Sequence, residues 1–319
     1  MPTEHLDRLF RDFESYRVSH APSGTPESLY APMDYILSLG GKRLRPILTL
    51  AACEAFGGDS QRALAPALGI EVFHNFSLVH DDIMDQAPLR RASETVHMKW
   101  DINTAILSGD ALLVEAYRLI AQVDAEVLPD VLDRFTQTAR RLCEGQQLDM
   151  EFEQRSKVEE AQYLEMIEGK TSVLIGCALA VGARIGGADN DSANAMYDFG
   201  RKLGLAFQIM DDHLDCFGDP GKTGKQEGGD ILAGKHTLLA IHCRHQDAQA
   251  FEEMSKRTGR EKVQGMKQLY VQTATDSYAL GKSEALLTES IADLRKALDE
   301  GPERQALEEL AKSLVHRSF

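Results

Sequence analysis

The stretch Phe76-Ser77-Leu78-Val79-His80-Asp81-Asp82-Ile83-Met84-Asp85 is apolar almost up to its aspartates, and its last five residues follow the pattern DDxxD. The pattern returns at Asp211-Asp212-His213-Leu214-Asp215, again directly after an apolar segment. On a helix the first and last aspartates share a face, where their charges repel by about 0.2–0.5 kcal/mol per pair. We therefore expect a bound cation at each run, and ligands that are all oxygen favour Mg²⁺.

The composition limits the class of protein. The chain has 319 residues, of which 43% are hydrophobic and 27% charged, as in soluble globular proteins. The net charge of −15 leaves no basic excess for general nucleic-acid binding. Five dispersed cysteines without a CxxC pair predict neither a disulfide framework nor a zinc site, and they favour the cytoplasm. We expect no signal peptide and no transmembrane segment, since the longest uncharged apolar stretch, Ser172 to Ala183, is too short to span a bilayer.

Helical periodicity dominates the rest of the chain. It is clearest over residues 29–39, 46–56, 159–185 and 305–315, and glycine pairs follow the first three of these segments. Alternating β-branched runs are nearly absent. We therefore predict an all-α fold and one domain over residues 1–319. The glycine-rich segment from Phe217 to Thr237 carries Lys222, Lys225 and Lys235, and we interpret it as a lid loop.

Basic residues accompany the acidic runs. Arg90-Arg91 follow the first run, and guanidinium groups beside a metal-bound polyphosphate would bind its oxygens in a bidentate way. Lys42, Arg43 and Arg45 follow the Gly40-Gly41 break. Lys170 lies in an apolar helical stretch, where a lysine needs an anionic partner. Each cluster taken alone also fits a solvated helix face or an ordinary basic loop.

Together these residues resemble the trans-isoprenyl diphosphate synthase (polyprenyl synthetase) family, from about Tyr30 to Thr237 and more weakly to the C-terminus. Six motifs occur in the family order. They are Gly40-Gly41-Lys42-Arg43-Leu44-Arg45-Pro46, His80 to Asp85 with Arg90-Arg91, Gly145-Gln146-Gln147-Leu148-Asp149, Lys170-Thr171, Phe207 to Asp215, and Gly224-Lys225 through Asp230, Gly234-Lys235 and Thr237. The chain departs from the family pattern Arg-Arg-Gly-x-Pro-Thr, because Arg91 is followed here by Ala92-Ser93-Glu94-Thr95. This change puts the loop geometry around Arg91 in question.

The resemblance implies an all-helical, isoprenoid synthase-type bundle around a deep central cavity, usually a homodimer. By motif, about three Mg²⁺ ions would be held on an allylic diphosphate by Asp81, Asp85 and Asp211, with Asp82, Asp212 and Asp215 nearby. Contacts to that diphosphate would come from Arg90, Lys170, Lys225 and Lys235. Isopentenyl diphosphate would be held by Lys42, Arg45, His74 and Arg91. Gln208 and Thr171 would face the developing cation.

The implied reaction is Mg²⁺-dependent head-to-tail condensation of isopentenyl diphosphate with an allylic diphosphate. Metals and lysines would stabilise the leaving diphosphate, and an apolar cavity would keep water from the carbocation. A terpene cyclase also ionises diphosphates at a DDxxD run, but it has no use for a second diphosphate site. A non-catalytic subunit of a heteromeric prenyl synthase would lose acids from a run, whereas this chain keeps all of them. A plain helical scaffold with acidic faces is the third alternative.

The residues before Asp81 bear on product length. A growing chain would pass along the helix that precedes the first acidic run. Phe76 lies within about 8 Å of rise of Asp81 and is large, whereas Ser77 is small and leaves room. In the family, aromatic residues at these two positions act as the floor of the cavity. One aromatic and one small residue predict a product of about fifteen to twenty carbons, with geranylgeranyl ahead of farnesyl diphosphate.

Overall fold

The computed structural model describes residues 4–219 and 227–316, and these are almost wholly helical. The α-helices are α1 (Glu4–Ser19), α2 (Glu27–Ser38), α3 (Leu44–Ala55), α4 (Leu64–Met84), α5 (Val96–Lys99), α6 (Ile102–Ile120), α7 (Leu128–Glu153), α8 (Glu160–Ile167), α9 (Val173–Gly186), α10 (Asn190–Phe217), α11 (Gly229–Ala233), α12 (Leu238–Gln246), α13 (Ala248–Ser255), α14 (Gly259–Gln272), α15 (Thr275–Ala297) and α16 (Pro302–Val315). A 3₁₀ turn covers Ser60–Ala63, and a π-helical turn, Glu168–Ser172, joins α8 to α9. Strands β1 (Leu89–Arg90) and β2 (Ser93–Glu94) form an antiparallel hairpin.

The all-α prediction is confirmed. Three of the four predicted helical segments correspond to α2, α3 and α16, and the segment 159–185 corresponds to α8, the π-helical turn and α9. The described chain divides into two compact units. The first comprises Met1–Thr136, Cys177–Met196 and Ala297–Ala306, and the second comprises Gln137–Gly176, Tyr197–Lys296 and Leu307–Phe319. The single domain over residues 1–319 therefore stays a prediction.

In the first unit, α4 packs along α6 at two glycines. A Cβ atom at Gly69 of α4 would lie 3.0 Å from the carbonyl oxygen of Ala116. A Cβ atom at Gly109 of α6 would lie within van der Waals overlap of the His80 ring. Neither position therefore has room for a side chain larger than the hydrogen atom of glycine. This close packing holds the C-terminal end of α4, where the first acidic run lies.

In the second unit, α7 crosses the π-helical turn at a pair of glycines. A Cβ atom at Gly145 would lie 2.6 Å from the carbonyl carbon of Gly169, and one at Gly169 would lie 2.9 Å from the carbonyl oxygen of Arg141. π-Helical turns inside α-helices are frequent at functional sites. Here the turn presents Lys170 and Thr171.

One helical stretch among the described residues, Glu160–Gly186, is long and apolar enough to cross a membrane. Its most apolar window is 83% buried inside the protein, which is the property of a core helix in a globular protein. We therefore assign this stretch to the protein core.

Candidate active site

The first acidic run lies at the C-terminal end of α4, and its three carboxylates differ in environment. Asp85 directly follows the helix, and its backbone N–H donates to the Asp81 carbonyl at 2.8 Å, so the two residues lie one turn apart. Asp82 is buried and binds Arg90 through two nitrogens, with Nη2 to Oδ1 at 2.7 Å and Nε to Oδ2 at 2.9 Å. Asp82 therefore acts as a structural anchor for Arg90, while Asp81 is half-buried and Asp85 is exposed.

The β1–β2 hairpin that follows presents Arg90 and Arg91. Its two turn residues, Arg91 and Ala92, both have positive φ, at 52° and 62°. This is the arrangement of a type I′ hairpin turn, which favours glycine at the second position. Ala92 thus adopts a conformation that favours glycine, at the cost of some backbone strain. The Arg91 guanidinium donates to the Leu39 carbonyl at 3.1 Å, so it lies beside the Gly40-Gly41 break.

We predict that Ala92→Gly stabilises the protein by about 0.5–1 kcal/mol, because glycine adopts positive φ without a Cβ clash and this gain exceeds its entropic cost. Urea unfolding of the two proteins measures the difference. Ala274, with φ at 54°, provides a second site of the same kind. Ala111→Gly in α6 is the control, and it is expected to destabilise by about 1 kcal/mol because the residue is helical. A loss of stability in Ala92→Gly would contradict the strain argument.

Three residues assigned to isopentenyl diphosphate lie together in the first unit. Burial lowers the pKa of Arg45 to about 10, and the charge of Arg91 adds to this effect. The Arg45 Nε atom is buried and has no hydrogen-bond partner among the described residues. Burial and the charges of Arg45 and Arg91 also hold the pKa of His74 well below its ordinary value, so His74 is neutral at neutral pH. Arg91 is exposed, so this cluster is open to solvent on one side while the Arg45 Nε atom is buried. Two neighbouring guanidinium groups with an unsatisfied donor are a suitable environment for an anion. Lys42 is exposed on the same loop.

Arg43 holds this loop in place. Its φ of 46° is in the left-handed region, and its side chain is buried. The guanidinium donates to Glu71 at 2.8 Å, to Glu14 at 3.0 Å and to the Leu37 carbonyl at 2.8 Å. Arg43 therefore ties the loop to α1, α2 and α4. The sequence pattern grouped it with its basic neighbours and did not distinguish this role.

The residues proposed for product length lie one to two turns before the acids. Phe76 is 8% exposed, and its ring lies 5.4 Å from Phe73 and 4.9 Å from His80, between centroids. Ser77 is half-buried, and its hydroxyl donates to the His74 carbonyl at 2.8 Å. Phe73 also contacts Phe135, at 5.1 Å. An aromatic cluster therefore lies on the N-terminal side of the first acidic run along α4.

A cavity of about 560 Å³ occupies the second unit, and it gathers residues that are distant in sequence. The predicted site residues that line it are Lys170, Thr171, Gln208, Asp211, Asp212, Asp215 and Lys235. Its wall also contains Asp149, Tyr163 and Asp230. Lys222 and Lys225 of the predicted lid fall outside the described residues. The described part of that segment contains the last residue of α10, the short helix α11 and Thr237, which is the N-cap of α12.

A chain of hydrogen bonds orients the polar wall of this cavity. The Thr171 hydroxyl donates to the Gln208 amide oxygen at 3.2 Å, and the Gln208 amide nitrogen donates to Asp212 at 2.9 Å. The Tyr163 hydroxyl donates to the other Asp212 oxygen at 2.7 Å. Burial raises the pKa of Asp212 to about 7, and the nearby charge of Asp230 adds to this effect. Asp212 therefore anchors the Gln208 amide, whereas Asp211 is half-buried on the cavity wall.

Three wall residues were not assigned a role from the sequence. The Asp149 carboxylate accepts from the Lys170 amino group at 2.6 Å, so it is the anionic partner expected for that lysine. Asp149 ends the motif Gly145-Gln146-Gln147-Leu148-Asp149, and its place in that motif is the sequence feature that could have identified it. The Asp230 backbone N–H donates to the Asp215 carboxylate at 2.9 Å, which ties α11 to the second acidic run. No sequence pattern marked Tyr163 as a site residue, because a single tyrosine in a helix is common.

The donor set of the cavity fits Mg²⁺. Its carboxylates are hard oxygen ligands, and two lysines on the same wall suit the phosphate groups that complete a Mg²⁺ shell. Within residues 4–219 and 227–316, no three His, Cys, Asp or Glu side chains form a complete metal cluster.

Comparison with known proteins identifies the class. The polyprenyl synthetase family model matches residues 26–273. A geranylgeranyl pyrophosphate synthase of Geoglobus acetivorans is 40% identical over 295 residues, covering 92% of each chain. A geranylfarnesyl diphosphate synthase of Natronomonas pharaonis is 36% identical, covering 93% of this chain and 92% of the relative. A crystal structure of a geranylgeranyl pyrophosphate synthase aligns with a TM-score of 0.93 at 41% identity, covering 100% of both chains.

The helical fold and the acidic, lysine-bearing cavity thus belong to a prenyltransferase. The chain is a member of the polyprenyl synthetase family.

Proposed function

We propose that the protein condenses isopentenyl diphosphate with an allylic diphosphate in a Mg²⁺-dependent, head-to-tail reaction. The observation that carries this proposal is the cavity of the second unit, which gathers Asp211, Lys170 and Gln208 in a chain of this family. The separate cluster of Arg45, His74 and Arg91 supports a site for a second diphosphate. A second diphosphate site distinguishes condensation from cyclisation.

The residues of the chain have distinct proposed roles. By the family resemblance, Asp81, Asp85 and Asp211 are the proposed Mg²⁺ ligands, with Asp82, Asp212 and Asp215 in support. When bound, Mg²⁺ supplies electrostatic stabilisation of the leaving diphosphate. Arg90, Lys170, Lys225 and Lys235 bind the allylic diphosphate, and Lys42, Arg45, His74 and Arg91 bind isopentenyl diphosphate. Asp212 and Thr171 fix the orientation of the Gln208 amide on the cavity wall, and the proposed role of Gln208 and Thr171 is to face the developing carbocation.

The test is incubation of the protein with radiolabelled isopentenyl diphosphate and an allylic diphosphate, with Mg²⁺ or with EDTA. Incorporation of label into a longer prenyl diphosphate only with Mg²⁺ is expected. Release of a cyclic hydrocarbon from the allylic substrate alone would favour the cyclase. Absence of turnover until a partner protein is added would favour a non-catalytic subunit.

The proposed product has about fifteen to twenty carbons, with geranylgeranyl ahead of farnesyl diphosphate. Phe76→Ala is expected to lengthen the product by one or more isoprene units, because it removes the ring that is the proposed floor for the growing chain. Ser77→Phe is expected to shorten it. Chromatography of the dephosphorylated products measures both changes. An unchanged distribution in Phe76→Ala would place the floor elsewhere.

We also propose that the active form is a homodimer. Helix α6 exposes Ile106, Leu107 and Val114, whose exposed fractions are 41%, 61% and 70%. Apolar residues repeated on one helix mark an interaction surface. Val114→Glu is expected to lower the mass measured by light scattering from that of two chains to that of one. Val271 on α14 is exposed to 57%, and Val271→Glu is the matched control that keeps the dimer. A single-chain mass for the unaltered protein would contradict this proposal.

We further propose that the protein is located in the cytoplasm. All five cysteines are free thiols, and four of them are buried. Unpaired cysteines are typical of a reducing compartment.

A further inference from the structure

A second cavity, of about 250 Å³, lies in the second unit. Helices α11, α12, α13 and α14 line it. It shares Asp230 and the four residues from Gly234 to Thr237 with the active-site cavity, so Lys235 lines both. The function proposed above makes no use of this second cavity.

The polar lining of the second cavity is cationic. Lys235, Arg244 and Lys262 contribute three positive charges against the single carboxylate of Asp230, in a chain whose net charge is −15. Lys262 is half-buried, and its amino group donates a long hydrogen bond of 3.5 Å to the Leu232 carbonyl oxygen. A local excess of positive charge in an acidic protein favours an anionic ligand.

Arg244 is held rigidly at the edge of this cavity. Its guanidinium lies over the Phe251 ring at 4.6 Å, and Nη1 donates to the Ser156 carbonyl at 3.0 Å. Its Nε atom is buried without a hydrogen-bond partner among the described residues, although a carboxylate oxygen of Glu252 lies 3.4 Å away. A guanidinium oriented by these contacts suits a phosphate group, because such a group accepts several hydrogen bonds at once, and the phosphate would compete with Glu252 for the Nε donor.

The remaining wall is mixed. It includes the polar residues His236, Thr237 and Ser255, and an apolar side that contains Phe251, Met266 and Tyr270, all of which are buried in the structure. A cavity that combines clustered cations with an apolar wall recognises an amphiphile. Its volume lies below the range of pockets for drug-sized ligands, which restricts the ligand to a small molecule.

We propose that the second cavity binds a small phosphorylated molecule with a short apolar tail, and that this ligand competes with the active-site cavity for Lys235. The link between the cavities is short, because the Lys235 backbone N–H donates to the Asp230 carbonyl and the Asp230 N–H donates to Asp215. A phosphate that draws the Lys235 side chain into the second cavity removes a cation from the first. Occupancy of the second cavity therefore weakens anion binding in the first. This coupling rests on the proposed function, whereas ligand binding in the second cavity does not.

Binding is tested by calorimetry on the full chain in EDTA, so that Mg²⁺-dependent binding is silent. Isopentenyl monophosphate and inorganic phosphate are the probes. Lys262→Gln is expected to weaken monophosphate binding about tenfold, because it removes a charged donor. Lys256→Gln removes a charge from an exposed neighbouring lysine outside the cavity and is expected to leave the affinity unchanged. Inorganic phosphate is expected to bind more weakly than the monophosphate, because it lacks the tail.

The contrary outcomes are specific. Equal weakening by Lys262→Gln and Lys256→Gln would show general electrostatic attraction and overturn the site. Unchanged binding in Lys262→Gln, with weakening only in Arg45→Ala, would place the probe in the first unit and also overturn it. Equal affinities for the two probes would overturn the role of the apolar wall.

Turnover with Mg²⁺ tests the coupling. Isopentenyl monophosphate is expected to raise the KM for the allylic substrate in the unaltered protein. In Lys262→Gln, basal turnover is retained and this rise is lost. An equal rise in both proteins would overturn the coupling. If the unaltered protein does not condense its substrates, the proposed function fails, and the calorimetry still decides whether the second cavity binds its ligand.

Discussion

Asp211→Asn is expected to lower kcat by about a hundredfold to a thousandfold, because it removes a charged Mg²⁺ ligand at the site where the leaving diphosphate gains charge. Asp81→Asn is expected to have an effect of the same order. Asp211 is half-buried on a cavity wall, so the amide fits without a change in packing. Steady-state turnover over a range of Mg²⁺ concentrations measures the effect, and circular dichroism establishes that the variant is folded.

Asp198→Asn provides the matched control. Asp198 lies on the same helix, α10, and is exposed. It does not line the cavity. Its replacement removes the same charge from the same helix and is expected to leave turnover unchanged. Near-normal activity of Asp211→Asn or Asp81→Asn at limiting Mg²⁺ would contradict the assignment of these aspartates as metal ligands.

Gly145→Ala is expected to destabilise the protein by about 3 kcal/mol and to abolish most of its activity. The added Cβ would lie 2.6 Å from the Gly169 carbonyl carbon, and it would press on the Lys170 backbone nitrogen. Two backbones meet at this point, so neither can move aside as a flexible side chain does. Separation of α7 from the π-helical turn would also pull the Lys170 amino group from Asp149. Urea unfolding measures the loss of stability.

Gly281→Ala is the control for this prediction. Gly281 lies within α15, and a Cβ atom there would meet nothing within 4 Å. Alanine at an open helical position is expected to stabilise the protein by about 0.5–1 kcal/mol. The same substitution is thus expected to have opposite signs at two helical glycines of the second unit. A loss of less than about 1 kcal/mol in Gly145→Ala would show that α7 and the π-helical turn separate easily.

Much of the fold could be predicted from the sequence, because its signals are local. Helical periodicity and terminal glycines predicted α2, α3 and α16 with bounds close to those observed. The sequence also indicated an apolar helical segment that runs almost up to each DDxxD run, and the structure places the two runs at or near the C-terminal ends of α4 and α10. These predictions depend on spacing of three or four residues along one helix, which a sequence displays directly.

The different roles of neighbouring residues were decided by tertiary contacts. Asp82 and Asp212 occupy the same place in their runs, yet one binds Arg90 and the other binds Tyr163 and Gln208. The DDxxD pattern is the same in both cases, so it carries no information about these partners. Because each of these carboxylates is buried, its hydrogen bonds hold the neighbouring side chains in position.

The hairpin turn at Arg91 and Ala92 also separates what the sequence predicted from what the tertiary structure decided. The sequence placed two arginines after the first acidic run and revealed that the family glycine is missing. The paired strands β1 and β2 force Ala92 into a positive φ despite its Cβ, because the hydrogen-bonded hairpin outweighs a local preference of about 1–2 kcal/mol. The local sequence thus determined the helices and the positions of the acids. Long-range packing decided which charges are anchored, which line a cavity, and where a second cationic cavity forms, since those outcomes depend on residues far apart in the chain.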